Sequence, residues 1–515
     1  MERTGFLRDA KPWRAFYVMM LHRKSLGTIS LALGLFLLGM SFALASDQRL
    51  VTPYSWAPAA AAAWTTAQRA QLHKDIDAIL MRRVLHGAHI GLLVLQTGNG
   101  SVLYNRDGDD EFMPASNFKL LVGSAALAKF GPDFTLKTSI AGDGHNLYFR
   151  GGGDVLLSAK DLDSAATALA AGGVTQVGNI VTDSSYLDSQ AYGYGWSWDD
   201  FPYYYAPVVG ALGLEDNIIH IYMRPGAAVG DPVGLRIEPA TSAVRIDNRM
   251  TTGPLKSKDT SDISRSLDDF KTITLTGSYP LGEKESGDIQ PAVPDPAAYA
   301  GDVLLQALRA HGVAVTGAVV PGSTPATASV LWTHASEPLG ELLQDFWWPS
   351  DNLVGEILLK TLGANNGGPP GTYERGIAAE NAYLKSIGID PATVSITDGS
   401  GLSHYDHITP RDLVTILQSD WKSVNRKVVI DALPLSGVRG SLQSSYLKTA
   451  AQKNVFAKTG SISHVRTISG FLRTQHHGAV TFSFMLDDYM DDDPAAAGQL
   501  AQLRGDLFSR IIAAP

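Results

Sequence analysis

A mixed α/β fold interrupted by a β-rich insertion is what this sequence predicts, on three observations. Apolar residues recur at helical spacing over 66–83, behind Pro114-Ala115-Ser116, after Ser350-Asp351-Asn352 and again over 494–512. Strand-like runs occupy 90–95 and 101–104 around Gly98-Asn99-Gly100, and 467–473 and 480–486 around Gln475-His476-His477-Gly478. From about 138 to 325 the texture changes to short β-like runs with many Gly and Pro. The expected organisation is therefore one discontinuous domain, 46–137 with 326–515, and an inserted region, 138–325, of one or two small β-rich domains. A length of 515 residues exceeds one ordinary core and agrees with that division.

Each terminal element has its own justification. The chain opens with His22-Arg23-Lys24, an apolar run over 26–45 and Ala43-Leu44-Ala45 before Ser46-Asp47. Those are the charged, apolar and small-residue sections of a secretory leader, residues 1–45, with cleavage after Ala45. Export to the periplasm is the expectation, and an uncleaved inner-membrane anchor formed by 26–45 is the alternative. Membrane contact is expected only there or peripherally. Met19 or Met20 would make a more typical start.

Composition removes several classes of function. Hydrophobic residues make up 45% and charged residues 18%, as in folded globular proteins. A formal charge of -9 and the lack of a long Lys/Arg run after the leader leave no footprint for nucleic acid. Cysteine is absent, which excludes disulfides, thiolate nucleophiles and Cys-ligated zinc. Covalent chemistry must fall to Ser, Thr, Lys or a carboxylate.

Three short motifs occur in order: Ser116-Asn117-Phe118-Lys119, Ser350-Asp351-Asn352 and Lys458-Thr459-Gly460. A Ser hydroxyl is a weak nucleophile until a neighbouring base takes its proton. On a helix, residues three apart share a face, so Lys119 can place its amine beside Ser116. That amine serves as a base only if burial or nearby positive charge lowers its pKa, and Lys458 is a candidate for that charge. The helix start at Ser116 also offers a free N–H, which could form an oxyanion hole with the N–H of Ser461. Taken singly the motifs are weak, because Ser-x-x-Lys recurs at Ser419 and Ser445 and Ser-x-Asn at Ser423. Only the Ser116 copy has a Pro-Ala lead-in, an apolar helix behind it and the other motifs downstream.

The ordered trio is the one associated with penicillin-binding proteins and class A β-lactamases. The chain resembles the low-molecular-mass class C penicillin-binding proteins, the D-Ala-D-Ala carboxypeptidase/endopeptidases of peptidase family S13. Supporting stretches are Gly151-Gly152-Gly153-Asp154, Trp198-Asp199-Asp200, Glu215-Asp216-Asn217, Asp398-Gly399-Ser400-Gly401-Leu402-Ser403 and Leu433–Leu442. The long separation of Ser116 from Ser350 also fits that family. The resemblance implies a penicillin-binding transpeptidase/β-lactamase-like domain with Ser116 as nucleophile and Lys119 as general base. It implies that Ser350 relays a proton, that Asn352 binds the peptide backbone, and that Lys458 and Thr459, followed by Gly460 and Ser461, hold the terminal carboxylate. Asp154 would contact substrate from the insertion, or simply stabilise a turn. Peptidoglycan peptides are the implied substrates, β-lactams the implied covalent inhibitors, and no cofactor or metal is needed. A serine β-lactamase and a non-catalytic murein-binding protein are the alternatives.

Two positions depart from the family's usual pattern: Val155 follows Asp154 where Pro is usual, and Arg439 stands where Asp is usual in Gly437-Val438-Arg439-Gly440. Both lie beside expected substrate-facing loops. His404 and His407, three apart, lack a third clustered ligand and do not predict a metal site. His476 and His477 are expected in a solvated turn, and Trp347-Trp348 either walls the substrate or packs the core.

Overall fold

A computed structural model describes residues 62–490 and 495–515. The predicted leader lies outside the described residues. Among those described, no helix is long and apolar enough to cross a membrane.

The discontinuous domain is built on a five-stranded antiparallel sheet. Its strands are β1 (His89–Gln96), β2 (Val102–Arg106), β3 (Val455–Ile462), β4 (Val465–Arg473) and β5 (Ala479–Asp487), in the spatial order β3-β4-β5-β1-β2. The first two and last three strands of the sheet come from opposite ends of the chain, joined where β1 runs beside β5 from His89–Asp487 to Gln96–Val480. Both faces are covered, so the central strands read as continuous apolar runs rather than alternating ones. One face packs on helices α1 (Thr66–Leu80) and, at the C-terminus, Ala496–Ile512, burying Leu72, Ile76, Leu92, Phe482, Leu503 and Phe508. The other face packs on α2 (Lys119–Phe130), α3 (Asn352–Asn365) and α4 (Pro410–Lys422), with Phe456, Phe471 and Met485 in the shared core.

The inserted region carries a second five-stranded sheet, in the order Val319–Pro321, Ile180–Asp183, Leu147–Arg150, Lys137–Gly142, Ser329–Ala335. Helices Ala159–Ala171 and Pro296–Ala310 pack with it into one apolar cluster that continues into the small strands between His220 and Ile289. The boundary expected at 325 is displaced. Ser329–Ala335 pairs antiparallel with Lys137–Gly142, so the sheet of the insertion extends ten residues further and the core resumes near Ser336. Neither strand has alternation strong enough to show in sequence, since Ser329–Ala335 is largely exposed.

One smaller expectation is also corrected, and one open alternative is resolved. His477 is buried rather than solvated: its ring stacks on Trp64 at 3.9 Å and its nitrogens meet the carbonyls of Ala62 and Pro515, each at 2.8 Å. Trp347 is part of the core and not a substrate wall, and its Nε1 donates to the Lys119 carbonyl at 3.1 Å, bracing the start of α2 from behind.

Candidate active site

Ser116 sits in a single 3-10 turn, Ala115–Phe118, that runs into α2 at Lys119. Residues three apart eclipse one another in such a turn, which puts both side chains on one side. Lys119 Nζ lies 3.0 Å from Ser116 Oγ. Ala115 adopts φ 45°, a left-handed backbone unusual for a non-glycine residue, and the surroundings hold it there. Thr467 Oγ1 donates to the Pro114 carbonyl at 2.7 Å and accepts from Asn117 Nδ2 at 2.5 Å, tying the turn to β4.

The second motif starts α3. Asp351 caps it by accepting from Val354 N at 2.8 Å, and Asn352 becomes its first residue. Ser350, just before the cap, has φ 69° and accepts from Lys458 Nζ at 2.7 Å. Lys458 shares a face of β3 with Phe456, the face that meets the helical layer. Gly460 allows the strand to approach the nucleophile turn. A Cβ there would collide with Thr467 Oγ1 and stand 2.8 Å from the Pro114 carbonyl and 3.0 Å from Asn117 N.

The free edge of β3 faces this cleft. Val455 O accepts from Ser436 N and Ala457 N donates to Pro434 O, both on the side away from β4. By the twofold alternation of a strand, Thr459 and Ser461 direct their backbone groups to that same free side. Ser461 therefore presents an N–H to the cleft beside Ser116, as the oxyanion-hole expectation requires. The Thr459 hydroxyl is shared with Ser441 Oγ at 2.8 Å.

Three residues of the predicted catalytic set, Ser116, Lys119 and Asn352, thus meet at one amine, and the fourth, Ser350, meets Lys458. Lys119 donates to Ser116, to Asn352 Oδ1 at 2.6 Å and to the Ser400 carbonyl at 2.7 Å. The Ser400 carbonyl was not assigned a role from sequence, although the Asp398–Ser403 stretch drew notice. Backbone acceptors carry no residue-type mark, so only the glycine-rich texture could have pointed to it. Gly401, at φ 76°, packs against the Ala115 carbonyl so closely that no side chain fits.

Electrostatics differ from expectation in one respect. Burial, not the charge of Lys458, pushes the Lys119 amine down to about 8, while Asp398 and Asp351 pull the other way. Lys458 is itself held well below the usual lysine range, by burial first and by Lys119 second. Behind Lys119, Glu356 is fully buried and pushed up to about 8, and both its oxygens accept from Gly399 N.

Asp154 lines a cavity of about 580 Å³ together with Tyr205, His334, Ser350 and Asn352. Its carboxylate is buried and engaged by His334 Nδ1 at 2.7 Å. Asp154 therefore belongs to the wall of the cleft. The two departures from the family pattern are absorbed by packing. Val155 is buried in the main core, and Arg439 turns inward, donating to the carbonyls of Ile430 and Leu433 near the end of a short helix. Among the described residues, His89, Asp107 and Asp110 come close enough to share a metal ion; His404 and His407 are not in such a group.

Comparison with known proteins shows the family. Residues 72–505 match the D-Ala-D-Ala carboxypeptidase 3 (S13) family. The D-alanyl-D-alanine carboxypeptidase of Actinomadura sp. (strain R39) is 34% identical over 461 residues, covering 85% of each chain. The D-alanyl-D-alanine carboxypeptidase DacB of Haemophilus influenzae is 23% identical over 95% of this chain and 99% of its own. The crystal structure of penicillin-binding protein 4 (dacB) from Haemophilus influenzae superposes with a TM-score of 0.76 at 22% identity, over 85% of this chain and 99% of that one, and shows a shared fold. With a family match over most of its length and a relative above 30% identity, the chain belongs to the D-Ala-D-Ala carboxypeptidase 3 (S13) family and is a serine peptidase of that kind.

Proposed function

We propose that Ser116, Lys119, Ser350, Asn352 and Lys458 carry a D,D-peptidase reaction on peptidoglycan stem peptides. The observation that carries this reading is the convergence of Ser116 Oγ and Asn352 Oδ1 on one buried amine, with Ser350 on a second. Neutral Lys119 takes the proton from Ser116 Oγ, which bonds to the carbonyl carbon of the penultimate D-Ala. The oxyanion meets the N–H groups of Ser116 and Ser461. A proton passes through Ser350 to the leaving nitrogen as the C–N bond breaks, and water then releases the acyl group. The peptide's terminal carboxylate docks on Lys458 and Thr459. Its negative charge holds Lys458 protonated, and that charge in turn favours the neutral form of Lys119, so productive binding prepares the base.

β-Lactams acylate the same serine in this reading. The dacB protein of Haemophilus influenzae has been crystallised with a β-lactam, which supports it. The apolar run over 26–45 supports export to the periplasm, where such substrates lie. Digestion of purified pentapeptide monomers and cross-linked dimers, resolved by mass, tests the proposal. Loss of one D-Ala from monomers marks carboxypeptidase action, and conversion of dimers to monomers marks endopeptidase action. Intact monomers and dimers after prolonged incubation with labelling-competent enzyme would overturn it.

A further inference from the structure

Two of the three acceptors around the Lys119 amine are held in place by the inserted region. On one side, Asn352 offers Oδ1 to Lys119 because its Nδ2 donates to the Tyr205 carbonyl at 2.5 Å. On the other, the Ser400 carbonyl rides on a loop wound around Asp398. The N–H groups of Ser400, Gly401 and Ser403 converge on that carboxylate at 3.0, 2.6 and 2.8 Å. Asp398 is fully buried, and a fourth strong donor reaches it from the insertion: Trp196 Nε1, at 2.8 Å.

Trp196 and Tyr205 bracket one short segment that is packed as a unit. Phe201 stacks on Tyr192 at 4.0 Å, Tyr203 stacks on Tyr205 at 5.5 Å, and the Tyr205 hydroxyl donates to Asp200 at 2.8 Å. One end of this aromatic segment therefore holds Asn352 directly and the other holds the Ser400 loop through Asp398, so both ends bear on partners of the same amine.

We infer that the segment 196–205 is a clamp for the general base, with Trp196 a positioning residue that acts on Lys119 through Asp398 and the Ser400 carbonyl. The inference rests on the reading of Lys119 as the base of acylation. A lysine stem has four flexible carbons, and its amine keeps one orientation only while every acceptor around it is fixed. Removing the indole N–H leaves a buried carboxylate one donor short. Its loop then relaxes and admits water, which lessens the burial that lowers the pKa of Lys119. The insertion is thus part of the catalytic apparatus although it supplies no reacting group.

Trp196→Phe tests this in the full-length mature protein, with fluorescent penicillin as the probe, acylation rates taken across pH, and melting followed in parallel. Acylation is expected to slow by about 10-fold near neutral pH, with its rise displaced upward by roughly half a pH unit, as loss of a buried bond to a charged group implies. If Trp196→Phe does not fold, benzothienylalanine in place of Trp196 keeps the ring shape without the N–H and carries the same expectation. A folded variant that acylates at the wild-type rate, or that slows with the pH profile unmoved, overturns the clamp. Labelling that persists in Ser116→Ala removes the acyl-enzyme reading itself, and the clamp with it.

Discussion

The discontinuous domain and the inserted region reach the Ser116 cleft by different means. The first supplies the side chains of the three motifs, set on a helix start, a helix cap and a sheet edge. The second supplies holders: a backbone carbonyl at Tyr205, bonded to Asn352, which accepts from Lys119, and an indole N–H at Trp196, bonded to Asp398, around which the Ser400 loop is wound. Chemistry concentrated in a few side chains is fragile to single substitutions. Holding spread over backbone and packing costs less per residue when disturbed, and the predicted effects follow that order.

The largest effect is expected at Lys119. Lys119→Met keeps the stem and removes the base, and acylation by a β-lactam should fall by about 10³-fold or more with the fold retained. A variant acylated within a few-fold of wild type would assign the base elsewhere. At Lys458, Lys458→Ala removes the cation for the terminal carboxylate, and cleavage of a D-Ala-D-Ala peptide should drop by roughly 10²-fold, which steady-state kinetics would measure. Gly460→Ala comes next. Its methyl would push β3 away from Pro114 and Asn117, so both acylation and melting temperature should fall, acylation by about 10-fold or more.

The pH dependence has a definite sign. Because burial lowers Lys119 to about 8, its neutral fraction, and with it the acylation rate, rises as pH increases through about 8. A rate flat from about pH 6 to 9 would contradict Lys119 as base.

The smallest effect sharpens the comparison from the structural side. Asp420, buried beneath α2, accepts from Ser124 Oγ at 2.7 Å and is pushed up to about 7 by desolvation. Its folded-state pKa lies above the unfolded value, so its contribution is favourable below about pH 4 and is lost as pH rises through 7. Asp420→Asn should therefore stabilise the protein on the order of 1 kcal/mol above pH 7, with little gain near pH 4, and leave acylation unchanged. Thermal melts at the two pH values check it.

How much of this was legible in the sequence depends on what kind of atom does the work. Ser116, Lys119, Ser350, Asn352 and Lys458 stand out because their chemistry is in side chains at short, fixed spacings. The central sheet was readable too, since β4 and β5 are apolar runs around a hairpin turn. The Ser400 and Tyr205 carbonyls were not, because any residue supplies a carbonyl. The end of the insertion was misplaced because an exposed strand has no core face to mark it. His477 looked solvated because its partners are distant in sequence: the stacked Trp64 lies hundreds of positions away and Pro515 lies 38 positions on. The non-catalytic alternative loses ground for a related reason: a buried lysine bonded to a serine hydroxyl serves packing poorly.

The central claim is that Ser116, activated by Lys119, is the acylated residue. Peptide mapping by mass spectrometry after exposure to benzylpenicillin tests it most directly. One penicilloyl group per chain is expected, on the peptide that contains Ser116, and none in Ser116→Ala. An adduct on any other serine, or one that survives in Ser116→Ala, would contradict it.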